Sequence, residues 1–333
     1  MLPTSTDLKT LVLPGATPVQ HFKIAGMFED EYCALPEEFK PFYEYDEENR
    51  QYTLNELEWL RWRKHGPYHR HPDDARYIKH TLGGSDIAAL FDGSALSKSL
   101  HLYDGQHGSN YKCKMELYYE KIEKKLPLAE KKDTDLFWCG HNEEPSIRSI
   151  FKKRYCDDHP LDIVKVINDC HMYQCGIRDK YGALLYPYVL CDLDGLVQIN
   201  GITGILECKT CNKNSEDYKL WVKKIVPLKY YLQICWYMLC MNMPYAYICA
   251  KWGLSLSESC YIYVERDFAV EKLLLDVAKD FIDCVDKHIP PELDGQNIDR
   301  LFVFWRRKMG NHKPDVPPVK LDRQYRHIVS TLS

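Results

Sequence analysis

Residues 194–209 read DGLVQINGITGILECK: an aspartate, a short link, then an apolar run ending in Glu-Cys-Lys. A strand sends successive side chains to opposite faces, so Glu207 and Lys209 project together while Leu206 and Cys208 point the other way. An acid and an amine at the end of an apolar strand cost free energy unless other polar groups compensate them. The fold must therefore bring such groups to the end of this strand. Asp194 closes the preceding run, and the hairpin-like link after it can set its carboxylate beside Glu207.

A chain of 333 residues with 45% hydrophobic content can bury a large core, and one elaborated α+β domain is expected. The 14 cysteines follow no apolar signal segment, and many lie inside apolar stretches such as Ile234-Cys235-Trp236 and Ile248-Cys249-Ala250. Buried thiols in a reducing cytoplasm are the expectation. No run of about 18 uncharged apolar residues is present, so no membrane span is expected. The net charge of −4 argues against coating nucleic acid with the whole surface, so any such contact must be local. Charge is uneven in that way: 29–58 is acid-rich, while 61–80 holds Arg61, Arg63, Lys64, Arg70, Arg76 and Lys79. Either run also serves as a solvated face.

Residues 1–52 contain Pro3, Pro14, Pro18, Pro36 and Pro41 without a helical period and read as an extended arm. Thr53, with Glu56 three residues on, reads as the N-cap of a helix. Further helices are expected from Gly84-Ser85-Asp86, over 114–125, and over 134–155 with a clean start near Glu144 because of Pro145. Strands are expected at 163–167, 188–194, 205–210, 245–252 and 260–264, with one aromatic-rich helix over 218–241 and an amphipathic one over 270–288.

Two carboxylates, Asp194 and Glu207, with a main-chain carbonyl, that of Cys208, are hard oxygen donors suited to Mg2+ or Mn2+. A cation so held acidifies bound water and orients it toward phosphorus, with Lys209 holding that water or neutralising charge on the phosphoryl oxygens. A surface Glu/Lys pair on a strand is the competing explanation of the spacing. Cys208 and Cys211 form a CxxC, but a closed zinc site needs four ligands and no second CxxC exists; Cys170 and Cys175 lie nearest.

Seven blocks in order carry a resemblance: GGSDIAALF (83–91), LYYEK (117–121), FWCGHNEEP (137–145), YPYVLCDLDGLV (186–197), GILECKT (204–210), YYLQICWYM (230–238) and PPELDG (290–295). Over 83–295 the chain resembles the YqaJ-like viral recombinase family, relatives of phage lambda exonuclease within the PD-(D/E)XK nucleases. The resemblance implies an α+β fold with a central mixed β-sheet flanked by helices. It divides the chain into an arm at 1–52, a nuclease domain at 53–295 and an extension at 296–333.

The resemblance also implies roles. Glu144 completes the metal site with Asp194, Glu207 and the Cys208 carbonyl; Lys209 and Gln233 complete the catalytic set; Ser85 lies near the phosphate of a DNA end. Glu143 competes with Glu144, His141 can assist, Gln233 can instead satisfy buried backbone, and Ser85 can be only a helix cap. Arg76, Lys79 and Arg63 are the basic candidates for DNA, whereas Asp192 stands where the lambda enzyme has a phosphate-binding serine and would repel phosphate. The expected activity is a 5′–3′ exonuclease using Mg2+ or Mn2+, two ions, on double-stranded DNA ends. Its expected partners are a single-strand annealing recombinase and further copies of the chain in a ring-like trimer or tetramer. The rival readings are an endonuclease or nickase of host defence and a non-catalytic scaffold that binds DNA ends.

Overall fold

A computed structural model of the chain describes residues 22–23, 28–33, 40, 43–47, 50–54, 80–91, 112–122, 131–167, 172–177, 179–181 and 184–292. All fall in the larger of two units, Met1–Glu292. The strands are β1 (Phe22–Lys23), β2 (Tyr43–Asp46), β3 (Gln51–Leu54), β4 (Val164–Ile167), β5 (Met172–Gln174), β6 (Leu190–Asp192), β7 (Leu196–Ile199), β8 (Ile202–Thr210), β9 (Tyr245–Lys251) and β10 (Ser259–Glu265). The helices are α1 (Glu29–Cys33), α2 (Gly84–Ile87), α3 (Lys114–Ile122), α4 (Lys131–Asp158), α5 (Glu216–Val222), α6 (Leu228–Met241) and α7 (Phe268–Asp286).

The central sheet has the order β10-β9-β8-β7-β4. Its pairs are antiparallel except β8 with β9, which run parallel because α5 and α6 intervene as a crossover. Asn200 and Gly201 make the two-residue turn between β7 and β8, both with positive φ (50° and 86°), a conformation that Asn-Gly tolerates and hairpin twist favours. The link 195–204 is thus a true hairpin, with β7 as a strand separate from β6.

Alternation along these strands assigns each face to one helical layer. Val197, Ile199, Leu206, Cys208, Tyr245, Tyr247 and Cys249 pack on Ile147, Phe151 and Tyr155 of α4. The opposite face lies under α6, which is buried along nearly all its length and is covered in turn by the apolar face of α7: Val270, Leu274, Ala278, Phe281 and Val285. The Trp236 indole N–H on α6 donates to the carbonyls of Leu82 (3.2 Å) and Leu190 (3.0 Å), fastening the segment before α2 to β6. This is the α+β sandwich, a mixed sheet between helices, expected from the sequence. Among the described residues no helix is long and apolar enough to cross a membrane.

Three expectations need correction. Pro145 lies inside α4 rather than near its start. The ring removes one intrahelical donor, and Ile147, Phe151 and Tyr155, buried just beyond it, hold the helix to the sheet regardless. The expected helix over 218–241 is two, α5 and α6, because Lys224 adopts φ 56° and Pro227 caps α6. Thr53 caps no helix: it pairs with Glu44 in the β2–β3 hairpin, where Tyr52 stacks on Tyr32 at 3.7 Å. Residues 55–79 lie outside the described residues.

Two glycine-to-alanine substitutions are expected to act in opposite directions. A Cβ at Gly204 would lie 2.3 Å from the buried Tyr245 ring, whose hydroxyl donates to the Ile202 carbonyl at 2.8 Å, so the ring has no room to move. Gly204→Ala should lower the unfolding free energy by about 1–3 kcal/mol. Gly140 in α4 has nothing within 4 Å of such a Cβ, and Gly140→Ala should raise it by about 0.5–1 kcal/mol. Urea denaturation of the two variants beside the parent checks both signs.

Candidate active site

The site lies where β7 parts from β8. Leu196 and Ile205 form the last pair of that ladder, and Leu206 N–H then donates to the Gly195 carbonyl at 2.9 Å. At the next outward-facing position no strand remains, and Cys208 N–H donates instead to Asp194 Oδ2 at 2.8 Å. On its other side β8 stays paired with β9 as far as Thr210 and Lys251. An aspartate side chain therefore replaces the missing strand, satisfying a backbone donor that burial would otherwise leave unpaired.

Glu207 and Lys209, alternate residues of β8, face α6. Glu207 is 1% exposed. Its Oε1 accepts from Lys209 Nζ at 2.5 Å and from Gln233 Nε2, on α6, at 2.7 Å. Its Oε2 is buried and has no hydrogen-bond partner among the described residues. A carboxylate oxygen in that state keeps its full desolvation penalty. Burial pushes the Glu207 pKa up and Lys209 opposes the shift; burial and then the Glu207 charge push the Asp194 pKa well up. Burial alone would lower the Lys209 pKa, but Glu207 and Asp194 outweigh it and hold the ammonium charged. The Tyr230 ring, 5.1 Å from Nζ, covers that ammonium.

Glu144 reaches the same place from α4. It accepts from His141 Nδ1 at 2.8 Å and lies 3.6 Å from Arg148. The hydrogen bond to Glu144 raises the His141 pKa, and burial opposes the shift. Glu143 faces away onto Lys251, at 2.5 Å. Glu144 also bears electrostatically on both Asp194 and Glu207, and half-buried Asp192 bears on Glu207. Among the described residues no three His, Cys, Asp or Glu side chains close around one point. Each carboxylate is instead turned to a protein donor: Asp194 to Cys208 N–H, Glu207 to Lys209 and Gln233, Glu144 to His141. The donors that meet here are hard oxygens, and the unpartnered Glu207 Oε2 is what a divalent cation would satisfy, so the residues fit a hard divalent cation.

The Gly83–Asp86 turn presses on the site from above α6. A Cβ at Gly84 would lie 2.4 Å from the Tyr237 ring and 2.8 Å from Gln233 Cγ, so only glycine allows this approach. Gln233 Nε2 also donates to Tyr237 Oη, at 2.9 Å. Asp86 is buried, reaches back to Gly83 N–H at 3.2 Å and takes Lys121 and Lys112 at 3.0 and 3.1 Å. Gly83, not Ser85, is the helix cap; Ser85 is exposed on the outer side of the turn. Cys208 is buried against the α4 core with its thiol pKa pushed well up, and Cys211 meets Ser215 at 3.2 Å, so the two thiols of the CxxC have different neighbours. Arg63, Arg76 and Lys79 lie outside the described residues.

The structure thus brings Glu144, Asp194, Glu207, Lys209 and Gln233 together, with Ser85 one residue from Gly84 at the rim. Sequence reasoning missed Arg148, Tyr237 and Tyr230. Arg148 and Tyr237 each stand four residues beyond a named site residue on the same helix, one turn away. That spacing is the signal that would have found them.

Residues 58–244, more than half of the chain, match the family described as the YqaJ-like viral recombinase domain. No curated protein sequence matches. Among solved structures the chain is similar to an alkaline exonuclease, LHK-Exo from Laribacter hongkongensis, with 15% identity and a TM-score of 0.42 over 75% of this chain and 99% of that one. It is similar to the same enzyme in complex with dAMP (16%, 0.42, over 68% and 94%) and to SSO0001 (12%, 0.30, over 68% and 85%). At that level of similarity no activity transfers to this chain.

Asp194→Asn tests the electrostatic strain of this cluster. Asparagine keeps an acceptor for Cys208 N–H and removes the charge. A carboxyl whose native pKa is raised binds its proton more tightly folded than unfolded, so it costs stability as pH rises past the ordinary carboxylate value. In EDTA at neutral pH the variant should be more stable than the parent, with a flatter acid-to-neutral slope. Adding Mg2+ should raise the parent melting temperature and leave the variant unmoved. Thermal denaturation across pH, with and without Mg2+, measures both effects.

Proposed function

The chain belongs to the YqaJ-like viral recombinase family, and on that premise we propose that it is a metal-dependent deoxyribonuclease acting on the ends of linear double-stranded DNA. The observation that carries the proposal is the buried, unpartnered Glu207 Oε2 beside a lysine held charged. A fold that needed only stability would replace such a group with an apolar one.

Asp194, Glu207, Glu144 and the main-chain carbonyl of Cys208 would hold Mg2+ or Mn2+, two ions in this reading. Bound cation supplies an acidified water and a counter-charge for the leaving oxygen. The protein groups do the remainder. Lys209 Nζ offsets charge that develops on the phosphoryl oxygens and holds the attacking water; its placement comes from Glu207 on one side and Tyr230 on the other. Gln233 keeps the Glu207 carboxylate from rotating, and Tyr237 in turn holds Gln233.

The nuclease domain in this proposal spans 53–295, with Ser85, Arg76, Lys79 and Arg63 contacting the DNA. Resection runs 5′ to 3′ and leaves single strands for an annealing recombinase, and copies of the chain form a ring-like trimer or tetramer around the duplex. One observation favours the rival endonuclease or nickase of host defence. Asp192, whose charge already bears on Glu207, would repel the phosphate of a DNA end.

Incubating linear and closed-circular duplex with Mg2+, Mn2+ or EDTA separates the readings. Loss of linear DNA alone, with the 5′-labelled nucleotide released first, is expected. Linearised circles would support the endonuclease, and binding without metal-dependent cutting would leave only a scaffold. Glu207→Ala and Lys209→Ala should each lower the rate by about 1,000-fold.

A further inference from the structure

Arg148 is absent from the ligand set and the catalytic set, yet it touches the site from both layers that build it. Its side chain is 9% exposed and projects from α4, one turn beyond Glu144. Nη1 donates to the Asp194 main-chain carbonyl at 2.6 Å and lies 3.6 Å from Glu144 Oε2. The chain is built to admit it: a Cβ on Gly195 would lie 3.2 Å from Arg148 Cδ and 3.3 Å from the Ile167 carbonyl. A side chain there would press on Arg148 and on the β4 backbone, which would have to give by a few tenths of an ångström.

Around this point α4 and the sheet also meet through Ile147, Phe151 and their apolar neighbours, and through Glu143, which takes Lys251 of β9. Apolar packing sets a layer distance but is non-directional. It does not determine how far the Glu144 carboxylate stands from Asp194. A guanidinium hydrogen-bonded to the Asp194 carbonyl and ion-paired with Glu144 links the two directly.

We propose that Arg148 is a positioning residue, which holds the Glu144 carboxylate and the Asp194 main chain at the separation a shared divalent cation requires. Its charge also offsets the mutual repulsion of Glu144, Asp194 and Glu207 until the cation is bound. The proposal rests on the metal-nuclease reading and adds to it a residue that binds neither metal nor DNA.

The test titrates Mn2+ into the full chain carrying Arg148→Gln or Arg148→Lys. Two readouts are taken: the metal-induced rise in melting temperature without DNA, and the cleavage rate of linear duplex. Arg148→Gln should raise the half-saturating Mn2+ concentration by about 10- to 100-fold in both readouts, the cost of losing a group that orients a metal ligand. The rate at saturating Mn2+ and the KM for DNA should change far less. Arg148→Lys, which keeps the charge on a shorter side chain without the planar guanidinium, should fall between. Should Arg148→Gln fail to fold, the lysine variant decides alone. A folded variant with parental Mn2+ dependence overturns the proposal, as does one that loses rate at saturating metal without any shift in that dependence. A parent chain that neither responds to Mn2+ nor cuts DNA overturns the nuclease reading itself, and this proposal with it.

Discussion

The hydrogen bond from Cys208 N–H to Asp194 Oδ2 is the contact on which the site depends. A strand inside a sheet has its main-chain groups paired on both sides; β8 loses its neighbour on one side midway, just where its charged residues begin. Something must take the exposed donors, or the strand end would fray. Asp194 takes one and, in doing so, has its carboxylate held within reach of Glu207. A main-chain obligation and the proposed ligand placement are met by one side chain. Little rotational freedom is left to Asp194, which favours a ligand position that is set before any cation arrives.

The same junction gathers charge of both signs. Glu144 on α4, Asp192 on β6, Asp194 in the link to β7 and Glu207 on β8 form one acidic group, with Lys209 and Arg148 as cations beside it. Burial strengthens every one of these interactions, attractive and repulsive alike. Asp194 and Glu207 are consequently pushed toward protonation while Lys209 is pushed toward the charged state. In the proposed reading, a cluster strained in this direction would bind a divalent cation with relief of repulsion as well as new coordination. Stability in the metal-free chain is lower in return, the usual exchange at a preorganised site. Tyr230 and Gln233 limit the loss, the first by covering the Lys209 ammonium and the second by satisfying Glu207 Oε1.

How much of this was legible depends on the range of each interaction. The side-by-side placement of Glu207 and Lys209 is a property of two-residue alternation and needs no tertiary information. The Asp194 approach comes from a hairpin, a local object signalled by Asn200-Gly201. Glu144 and Gln233 come from other layers, and only the ordered set of blocks pointed to them. Arg148 and Tyr237 were missed although each sits one turn from a named residue, because a buried polar residue on an amphipathic helix reads as core or as surface until its partner layer is known. The breaks in the elements failed for different reasons. Pro145 is tolerated because long-range burial of Ile147 and Phe151 holds the helix, whereas Pro227 and the left-handed Lys224 do end one. Proline alone does not distinguish the two cases.

Glycine governs how closely the layers approach. Gly84 lets the start of α2 lie against Tyr237 and Gln233, Gly195 admits Arg148, and Gly204 admits Tyr245. None of the three carries chemistry, and none of them has positive φ. Gly84 and Gly204 stand where a ring from another layer approaches the backbone more closely than a Cβ permits, and at Gly195 a Cβ would fit only tightly against Arg148. In the strings GGSD, DG and GITG the polar residues state what the site can do, while the glycines state how near its layers must come for those residues to meet. A variant that kept every acid and the lysine but filled these three positions would carry the donor set without the spacing that makes it a site.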